Sequence, residues 1–370
     1  MITVNSERLV DCFLKYVKID SPTKSEGAFA EVLTLALTSL GLEVHVDDAG
    51  ERLGSNTGNI LARLEGNVAG DPILLSCHMD TVSPGIGIKP VIRDGTIYSD
   101  GTTILGADNK AGIAAIIEAI SVIKEQQLKH PTIEIAFSIY EEGGLHGAKQ
   151  MDMSWFTAKM AYVLDSGGDP GQIITCGPAQ DKVDAYITGR PAHAGVCPEE
   201  GISALMVAAK AIENMRLLRI DEETTANIGS IEGGGATNIV VPKATVYAEA
   251  RSLNAEKLTL QSEHMKACFE AAAAHYGASV EVKVTRMYEP FVIAQDDAIV
   301  LKVKDAAATI GLKSFTDSTG GGSDTNVFNG KGIKAVNLGI GERKPHTLEE
   351  HLHIVDLENT ARLVLALVTQ

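Results

Sequence analysis

A histidine and an aspartate stand two residues apart at the end of an apolar run, from Ile73 to Val82. The run reads Ile-Leu-Leu-Ser-Cys-His-Met-Asp-Thr-Val, which predicts a buried strand that ends at a polar site. Successive side chains of a strand point to opposite faces, so His78 and Asp80 share one face and Cys77 takes the other. This arrangement excludes a Cys–His nucleophile pair. A carboxylate often holds a metal-ligating histidine in place, although a core histidine beside a turn aspartate would show the same spacing.

Other acidic residues follow apolar segments in the same way. The segment 133–140 predicts a buried strand that ends in Glu141 and Glu142, and the shorter segment 161–164 ends in Asp165. Two charges that close a buried strand are costly unless a cation receives them, although a solvated acidic loop would show the same pair. In sheets covered on both faces, ligands bind at the carboxyl ends of the strands. We therefore expect these carboxylates to lie at one site.

The imidazoles and carboxylates near strand ends and neighbouring loops form one candidate set: His78, Asp80, Asp108, Glu141, Glu142, Asp165 and His346. Ligands of these types without thiolates suit zinc, cobalt or manganese, and zinc is the usual choice for hydrolysis. The set exceeds what one tetrahedral ion needs and fits two ions about 3.5–4 Å apart that share a bridging carboxylate. Of two adjacent glutamates, one can hold metal while the other takes a proton from water.

Composition limits the functional classes. The chain has 370 residues, enough for two domains, and its formal charge is -16. Because such an acidic surface repels phosphate groups, we expect neither nucleic acid nor an anionic membrane as a partner. The five cysteines are scattered, which predicts free thiols in a reducing compartment. Neither a signal-peptide pattern nor an apolar run of about 18 residues is visible, so we expect a cytoplasmic protein.

The elements that must position the candidate set have an α/β texture, in which apolar strands alternate with helices. Strands are predicted at residues 43–46, 59–64, 73–77, 133–140, 161–164 and 334–338. Helices are predicted at residues 6–17 (with Ser6 as the N-cap), 26–40, 111–123, 298–310 and from 356 onward. A small inserted α+β domain is predicted between the strand at 161–164 and the helix at 298–310. It would contain strands at 181–188, 244–251 and 279–286 and helices at 202–217 and 256–276.

Motifs along nearly the whole chain resemble those of the M20 family of di-zinc peptidases and amidohydrolases. They are Cys77-His78-Met79-Asp80-Thr81-Val82, Gly106-Ala107-Asp108-Asn109-Lys110, Tyr140-Glu141-Glu142-Gly143, Leu164-Asp165, the lid-like Gly189-Arg190-Pro191-Ala192-His193-Ala194-Gly195, and Pro345-His346-Thr347-Leu348-Glu349-Glu350. The resemblance implies an α/β zinc-peptidase (phosphorylase/hydrolase-like) catalytic domain of residues 1–179 and 289–370. It also implies an inserted α+β lid, or dimerisation, domain of residues 180–288.

The resemblance implies two zinc ions per chain, for which cobalt or manganese could substitute. One ion would be held by His78, Asp108 and Asp165. The other would be held by Asp108, Glu142 and His346, so that Asp108 bridges the two.

The resemblance also implies two catalytic residues. Asp80 would orient the ligand histidine beside it, and Glu141 would be the general base. His351 and His353 lie close to His346 in sequence and are alternative ligands; the motif position favours His346.

Five residues are candidate substrate contacts: His193, Asn238, Arg251, Gly321 and Gly322. Arg251 ends a predicted strand and could clamp a substrate carboxylate or simply be solvated, and Asn238 could reach substrate or cap a turn. The two glycines lie in the segment 319–326, which is similar to a family loop whose backbone receives the substrate. Bare glycines allow close backbone approach but also suit a flexible loop. No phosphate-binding glycine motif is present, so nucleotide binding has no support.

His193 lies far in sequence from every candidate ligand, and alone it reads as a turn histidine. In the resembled family the lid domains pair, and this histidine reaches the active site of the partner chain. The resemblance therefore implies a homodimer joined through the lid domain.

Among the family's members, the chain resembles most the peptidase T branch, the aminotripeptidases. We expect a di-zinc hydrolase that cleaves an amide bond of a short peptide and releases the N-terminal residue. The chain is somewhat shorter than a typical peptidase T, which leaves the substrate length open. An N-acyl-amino-acid deacylase or a carboxypeptidase would use the same motifs. An inactive metal-binding module is the alternative from another class, and the retained Glu141 with every expected ligand argues against it.

Overall fold

The computed structural model describes residues 3–369. The prediction that the N-terminal segment holds no signal peptide falls in part on residues 1 and 2, which lie outside the described residues, as does residue 370. The chain divides into two compact units. The first contains the described residues up to Thr175, then Val292–Ser318 and the chain from Ser323 onward; the second contains Cys176–Phe291 and Thr319–Gly322. The boundaries differ by a few residues from the predicted ones, and Thr319–Gly322 groups with the second unit.

The α-helices, numbered in chain order, are α1 Ser6–Val17, α2 Gly27–Ser39, α3 Ala49–Leu53, α4 Ala107–Gln126, α5 His146–Gln150, α6 Ala204–Glu213, α7 Ala255–Tyr276, α8 Ala298–Thr309, α9 Asp324–Gly330 and α10 Ile354–Val368. Short 3-10 helices occur at Met153–Trp155 and Pro198–Glu200. Within residues 3–369, no helix combines the length and the apolar character needed to cross a membrane.

The strands are β1 Glu43–Val46, β2 Ile60–Leu64, β3 Ile73–His78, β4 Val91–Arg93, β5 Thr96–Tyr98, β6 Ile133–Ser138, β7 Met160–Ser166, β8 Gln172–Gly177, β9 Ala179–Thr188, β10 Leu218–Arg219, β11 Thr224–Gly233, β12 Lys243–Ser252, β13 Ser279–Tyr288, β14 Phe291–Val292, β15 Phe315–Ser318, β16 Lys334–Gly339, β17 Glu342–Arg343 and β18 His351–His353.

The first unit is built on a mixed sheet with the order β1-β2-β6-β3-β7-β16-β8-β14. Strand β3 is buried along its whole length. Leu75 packs into a core cluster that includes residues of α4 and α10, while Leu74 packs into a second cluster with Phe328 of α9. A strand that is covered on both faces needs apolar residues at successive positions, which explains its continuous apolar sequence. The predicted α/β fold is confirmed.

Three neighbouring strands of this sheet end at the same edge. Strand β3 pairs in parallel with both β6 and β7, and His78 stands opposite Ser138 in the register. Because the strands are parallel, their carboxyl ends open together. The loops that follow β3, β6 and β7 are therefore brought side by side.

The second unit is an antiparallel sheet of order β10-β11-β12-β9-β13. Helices α6 and α7 cover one face, where Val207 and Phe269 pack with Val183 and Ala185 of β9. The predicted strands and helices of this α+β unit are present. Strand β11 was not predicted. Its second half is mostly exposed, so it lacks the apolar alternation by which a strand is recognised.

Two local details differ from the prediction. Helix α1 is capped by Asn5, whose side-chain oxygen accepts the N–H of Arg8 at 3.0 Å; Ser6 is the first helical residue. The segment 319–326 is not entirely a loop, because α9 begins at Asp324 within it. Ser323 and Asn326 form a capping box that begins this helix. The neighbouring glycines made the segment resemble a loop in the sequence.

Candidate active site

The predicted ligands converge within the first unit. His78 is the last residue of β3, Asp165 lies near the end of β7, and Glu142 follows β6. Asp108 lies at the start of α4, where its backbone (φ -76, ψ 104) departs from helical values. His346 is presented by a loop and has φ 62, in the left-handed region.

Two groups of possible metal ligands share one carboxylate. His78, Asp108 and Asp165 have ligand atoms within 4.8 Å of one another, and so do Asp108, Glu142 and His346. The Nε2 atom of His78 lies 2.8 Å from Oδ1 of Asp108 and 3.3 Å from an oxygen of Asp165. The Nε2 atom of His346 lies 3.1 Å from Oδ2 of Asp108 and 3.1 Å from an oxygen of Glu142. Asp108 thus faces one imidazole with each oxygen.

The donor chemistry of these groups calls for a cation. Nδ1 of His78 lies 2.9 Å from the main-chain carbonyl of Asp80, an acceptor only, so Nδ1 carries the proton. In the neutral ring, Nε2 then presents a lone pair to two carboxylate oxygens. Lone pairs that face each other repel, so this arrangement requires either a second proton or a metal ion between them. The residues fit a metal pair.

The pKa values show how strongly the cluster attracts positive charge. Burial lowers the pKa of His78, but Asp165 and Asp108 outweigh it and raise that pKa well above its usual range. Hydrogen bonds to Asp108 and Glu142 raise the pKa of His346 to about 10. Burial raises the pKa of Asp165 to about 7, against the opposing charge of His78. Protons therefore occupy the cluster at neutral pH when no other cation is bound.

Asp80 is connected to the site in two ways. Its carbonyl, at 2.9 Å, is the nearer partner of His78 Nδ1, and its carboxylate oxygen is 3.5 Å away. The carboxylate accepts instead the main-chain N–H groups of Glu141 at 2.9 Å and Glu142 at 3.2 Å, and the hydroxyl of Thr23 at 2.8 Å. Asp80 thus contacts the histidine mainly through its backbone and holds the pair of glutamates through its side chain.

The turn that carries the two glutamates is held by two further buried side chains that the sequence did not single out. Asn59 accepts the N–H of Ile139 at 3.0 Å, and Glu26 accepts the N–H of Tyr140 at 3.0 Å. With the two bonds to Asp80, four consecutive amides from 139 to 142 bind side chains from distant segments. Tyr140 has φ 49, a conformation that a non-glycine residue keeps only when its surroundings enforce it.

Glu141 itself is almost completely buried. An oxygen of Glu141, one of Glu142 and a nitrogen of His78 lie within 4.8 Å of one another. Burial, aided by Asp165 and Asp324 and opposed by His78, raises the pKa of Glu141 well above its usual range. A raised pKa suits a carboxyl group that must accept and return a proton near neutral pH.

Asp165 is fixed by two asparagines that sequence reasoning missed. Nδ2 of Asn109 donates to a carboxylate oxygen of Asp165 at 2.6 Å. Asn337 accepts the N–H of Asp165 at 2.9 Å and donates to its carbonyl at 3.0 Å. Asn109 directly follows the predicted ligand Asp108, so its place in the motif could have marked it as part of the site. Asn337 lies in an apolar strand, and nothing in the sequence around it indicates a site residue.

The neighbouring histidines are outside both ligand groups. His351 stacks on Tyr98 with ring centroids 5.2 Å apart, and Nδ1 of His353 lies 2.9 Å from the hydroxyl of Thr96. Both therefore belong to the small sheet of β17, β18, β5 and β4. The geometry favours His346, as the motif position did.

Comparison with known proteins identifies the family. The sequence pattern described as peptidase family M20/M25/M40 matches residues 74–370. The chain belongs to this family. It is 49% identical over 367 residues to an uncharacterized protein of Bacillus subtilis (strain 168), YqjE, with 99% of each chain covered.

Two solved structures are similar to this M20 peptidase over nearly their whole length. Aminopeptidase PepT from Bacillus cereus ATCC 10987 matches with a TM-score of 0.88 and 48% identity, covering 99% of this chain and 98% of that one. A tripeptidase from Staphylococcus aureus subsp. aureus mu50 matches with a TM-score of 0.93 and 41% identity, again over 99% and 98%. The chain is therefore a hydrolase of the peptidase class, and the predicted peptidase T-like assignment is confirmed.

The candidate substrate contacts of this M20 peptidase lie in the second unit and form two separate groups. Exposed His193 and Asn238 lie on neighbouring loops, where the N–H of Ala194 donates to the carbonyl of Asn238 at 2.8 Å. These loops continue from the end of the sheet at which Thr188 pairs with Lys243.

The second group lies at the opposite end of the same sheet. Arg251 pairs there with Gln180, donates to both oxygens of Glu249 at 2.9 and 3.2 Å, and reaches the carbonyl of Gly320 at 3.5 Å. A Cβ added to Gly322 would stand 2.2 Å from the Tyr288 side chain. This position requires glycine because the ring approaches the backbone closely.

Proposed function

We propose that this M20 peptidase is a metal-dependent aminopeptidase that removes the N-terminal residue from short peptides, with two zinc ions per chain. The observation that carries the proposal is Asp108, whose two oxygens face the Nε2 atoms of His78 and His346. A carboxylate between two imidazoles suits a ligand that bridges two ions. The names aminopeptidase and tripeptidase, which belong to the two similar solved structures, support the choice of substrate.

The ligands would divide between the two ions in the two groups that share Asp108. His78, Asp108 and Asp165 would hold one ion, and Asp108, Glu142 and His346 the other. Nitrogen and carboxylate donors without a thiolate favour zinc, with cobalt or manganese as substitutes. When bound, such ions lower the pKa of water toward about 7 and polarise the scissile carbonyl.

Glu141 would be the general base. Its carboxylate would take a proton from the attacking water and return it to the leaving amine, which becomes the new N-terminus of the shortened peptide. Asp80 would keep Glu141 in place through the bond to its N–H at 2.9 Å. Because Glu141 is nearly buried, little bulk water competes for that proton.

The geometry of the second unit supports a homodimer with shared active sites. Eight residue steps of β12 separate Lys243, near the loops of His193 and Asn238, from Arg251. This is about 26 Å along a strand, whereas an extended tripeptide spans about 10 Å. One short substrate therefore cannot touch both groups of the same unit. We assign Arg251, Gly321 and Gly322 to one site and His193 and Asn238 to the site of a partner chain.

A cytoplasmic setting is part of the same proposal. All five cysteines are free, as a reducing compartment would keep them. The proposed substrates are short peptides, with no nucleic acid or membrane partner.

The proposed function is tested by hydrolysis of a matched substrate panel. Purified protein with added zinc should cleave tripeptides, release the N-terminal residue and leave N-acetylated versions of the same tripeptides intact. Elemental analysis should find about two divalent ions per chain, and chelation should abolish activity reversibly. Cleavage of acyl-amino acids or of C-terminal residues instead would favour the deacylase or carboxypeptidase. Active protein without divalent metal would overturn the metal assignment.

A further inference from the structure

Glu350 is a buried carboxylate bound by four consecutive main-chain amides, all within the first unit. Its Oε2 accepts the N–H groups of Leu105 at 2.8 Å and Gly106 at 2.9 Å. Its Oε1 accepts those of Ala107 at 2.6 Å and Asp108 at 3.2 Å. The residue is 1% exposed. Four hydrogen bonds to one side chain therefore attach two segments that are distant in sequence.

The attached segment needs such support because helix geometry does not provide it. Gly106 has φ 74, and neither Asp108 nor Asn109 has helical dihedral angles. The regular helical backbone of α4 therefore begins only after Asn109. The position of the Asp108 carboxylate, between two imidazoles, depends on the backbone that Glu350 holds.

The other end of the attachment is the loop that presents His346. Glu350 follows His346 by four residues, and its N–H donates to the carbonyl of Thr347 at 3.1 Å. The hydroxyl of Thr347 donates in turn to the carbonyl of Lys344 at 2.8 Å, which closes the turn around His346. The loop of one imidazole and the backbone of the shared carboxylate are thus joined by a single side chain.

We propose that Glu350 is a positioning residue that sets the separation between Asp108 and His346. It would thereby determine how tightly the metal ion of Asp108, Glu142 and His346 is held. Both of its oxygens accept main-chain N–H groups, and it belongs to none of the groups of possible metal ligands. The inference rests on the proposed metal-dependent function.

The closest change that tests this role is Glu350→Gln. The side chain keeps its size, but one oxygen becomes an NH₂ group that donates hydrogen bonds and would face two N–H donors. Loss of partners that hold metal ligands typically weakens metal binding by about 10–100-fold. We expect Glu350→Gln to bind the weaker of the two zinc ions about 10–100-fold less tightly, with a lower kcat that saturating zinc restores in part and a nearly unchanged KM.

Glu349→Gln is the matched control, because the neighbouring Glu349 is exposed and its carboxylate pairs with Lys344 at the surface. Full-length wild type and both variants are stripped of metal and titrated with zinc against a chromophoric chelator, with circular dichroism as the check on folding. A purely structural role would lower the melting temperature without making activity depend more steeply on zinc. Equal zinc affinities of folded Glu350→Gln and Glu349→Gln would overturn the inference.

A second variant decides the question if Glu350→Gln does not fold. Glu350→Asp keeps the charge but is one methylene shorter, so it can reach only part of the amide row, and we expect about tenfold weaker zinc binding. Wild-type affinity in that variant would equally overturn the inference. Failure of the proposed function is recognised separately, since wild type itself would then bind no zinc or cleave no peptide.

Discussion

At the scale of single residues, the two adjacent glutamates have different surroundings. Asp80 binds the N–H groups of both, and burial raises the pKa of both. Glu142, however, lies 3.1 Å from His346 and groups with Asp108, whereas Glu141 belongs to neither of the two ligand groups that share Asp108. The first arrangement suits a ligand and the second a base. The difference can be tested because Glu and Gln have nearly the same shape.

Glu141→Gln should keep both metal ions and the fold but lower kcat by about 10²–10⁴-fold, since a general base contributes on that scale. Glu142→Gln should instead leave one ion weakly bound. Steady-state kinetics and elemental analysis of both variants separate the two outcomes. A Glu141→Gln variant that keeps most of its turnover would show that another group takes the proton.

The histidines predict a pH dependence of the metal-free protein. The pKa of His346 is raised to about 10, so its ion pairs stabilise the fold fully below its unfolded pKa of about 6.5 and are lost as pH rises toward 10. The pKa of buried Asp165 is raised to about 7, so its ionisation also destabilises the fold as pH rises. Solvent screening reduces the contribution of His346, which is half exposed.

The melting temperature of chelated protein should therefore fall between pH 6 and 8.5, and its increase on adding zinc should become larger over the same range because zinc replaces protons. Thermal unfolding with and without chelator-buffered zinc measures both trends. His346→Ala is the control and should show a shallower fall. A zinc-induced increase that does not change with pH would contradict the coupling.

At the scale of elements, loops around the site are held by side chains that accept rows of main-chain amides. Glu350 accepts four from Leu105 to Asp108. Asp80, with two others, accepts four from Ile139 to Glu142. Hydrogen bonds from main-chain amides favour the charged form of a carboxylate, but burial is the larger effect on Glu350 and raises its pKa to about 7. These side chains supply, for loops, the support that strands and helices receive from their own hydrogen bonds.

The glycine-rich segment of the second unit provides an element-scale prediction. Gly322→Ala would place a methyl group against Tyr288, while Gly320 has nothing within 4 Å of the position of an added Cβ. We expect Gly322→Ala to destabilise the protein by about 1–3 kcal/mol, the usual cost of overpacking, and to raise KM. Gly320→Ala should change both little. Denaturant unfolding and kinetics of the pair provide the measurement, and equal behaviour of the two variants would argue against a close approach of Tyr288.

At the scale of the whole molecule, the candidate substrate contacts divide between two ends of one sheet. His193 accepts the N–H of Gly195 at its Nδ1 at 3.2 Å, which leaves an Nε2–H free to donate to a developing oxyanion. A lid that carries such a donor can complete a site when substrate is bound. The proposed homodimer would place this donor at the partner's metals.

His193→Ala should keep both ions and lose about 10²–10³-fold in kcat, the scale for one oxyanion donor. Mixing this variant with Glu141→Gln tests the shared site directly, because one site of each mixed dimer would regain both wild-type groups. Activity should then return in part. Verified subunit exchange without any recovery would mean that each chain uses its own His193.

The strand ends and the candidate ligands could be predicted because they depend on local pattern. Continuous apolar runs identify β3, β6 and β7, and charges that close a buried run are costly unless a cation receives them, which pointed to a site. Glu26, Asn59 and Glu350 could not be predicted in the same way. Each accepts main-chain N–H groups, which every residue except proline possesses, so no particular residue type elsewhere in the sequence marks their partners.

Sequence alone determined the α/β class, the inserted α+β segment and the family, because buried strands, helical periods and motif order are properties of the chain itself. Tertiary structure decided that His346, and neither His351 nor His353, faces Asp108. It also decided that Asp80 contacts His78 mainly through its carbonyl and that Arg251 and His193 lie at opposite ends of a sheet. These features depend on distances between residues far apart in sequence, such as Asp108 and His346. Only the packing of the parallel strands and the loops beyond them fixes those distances.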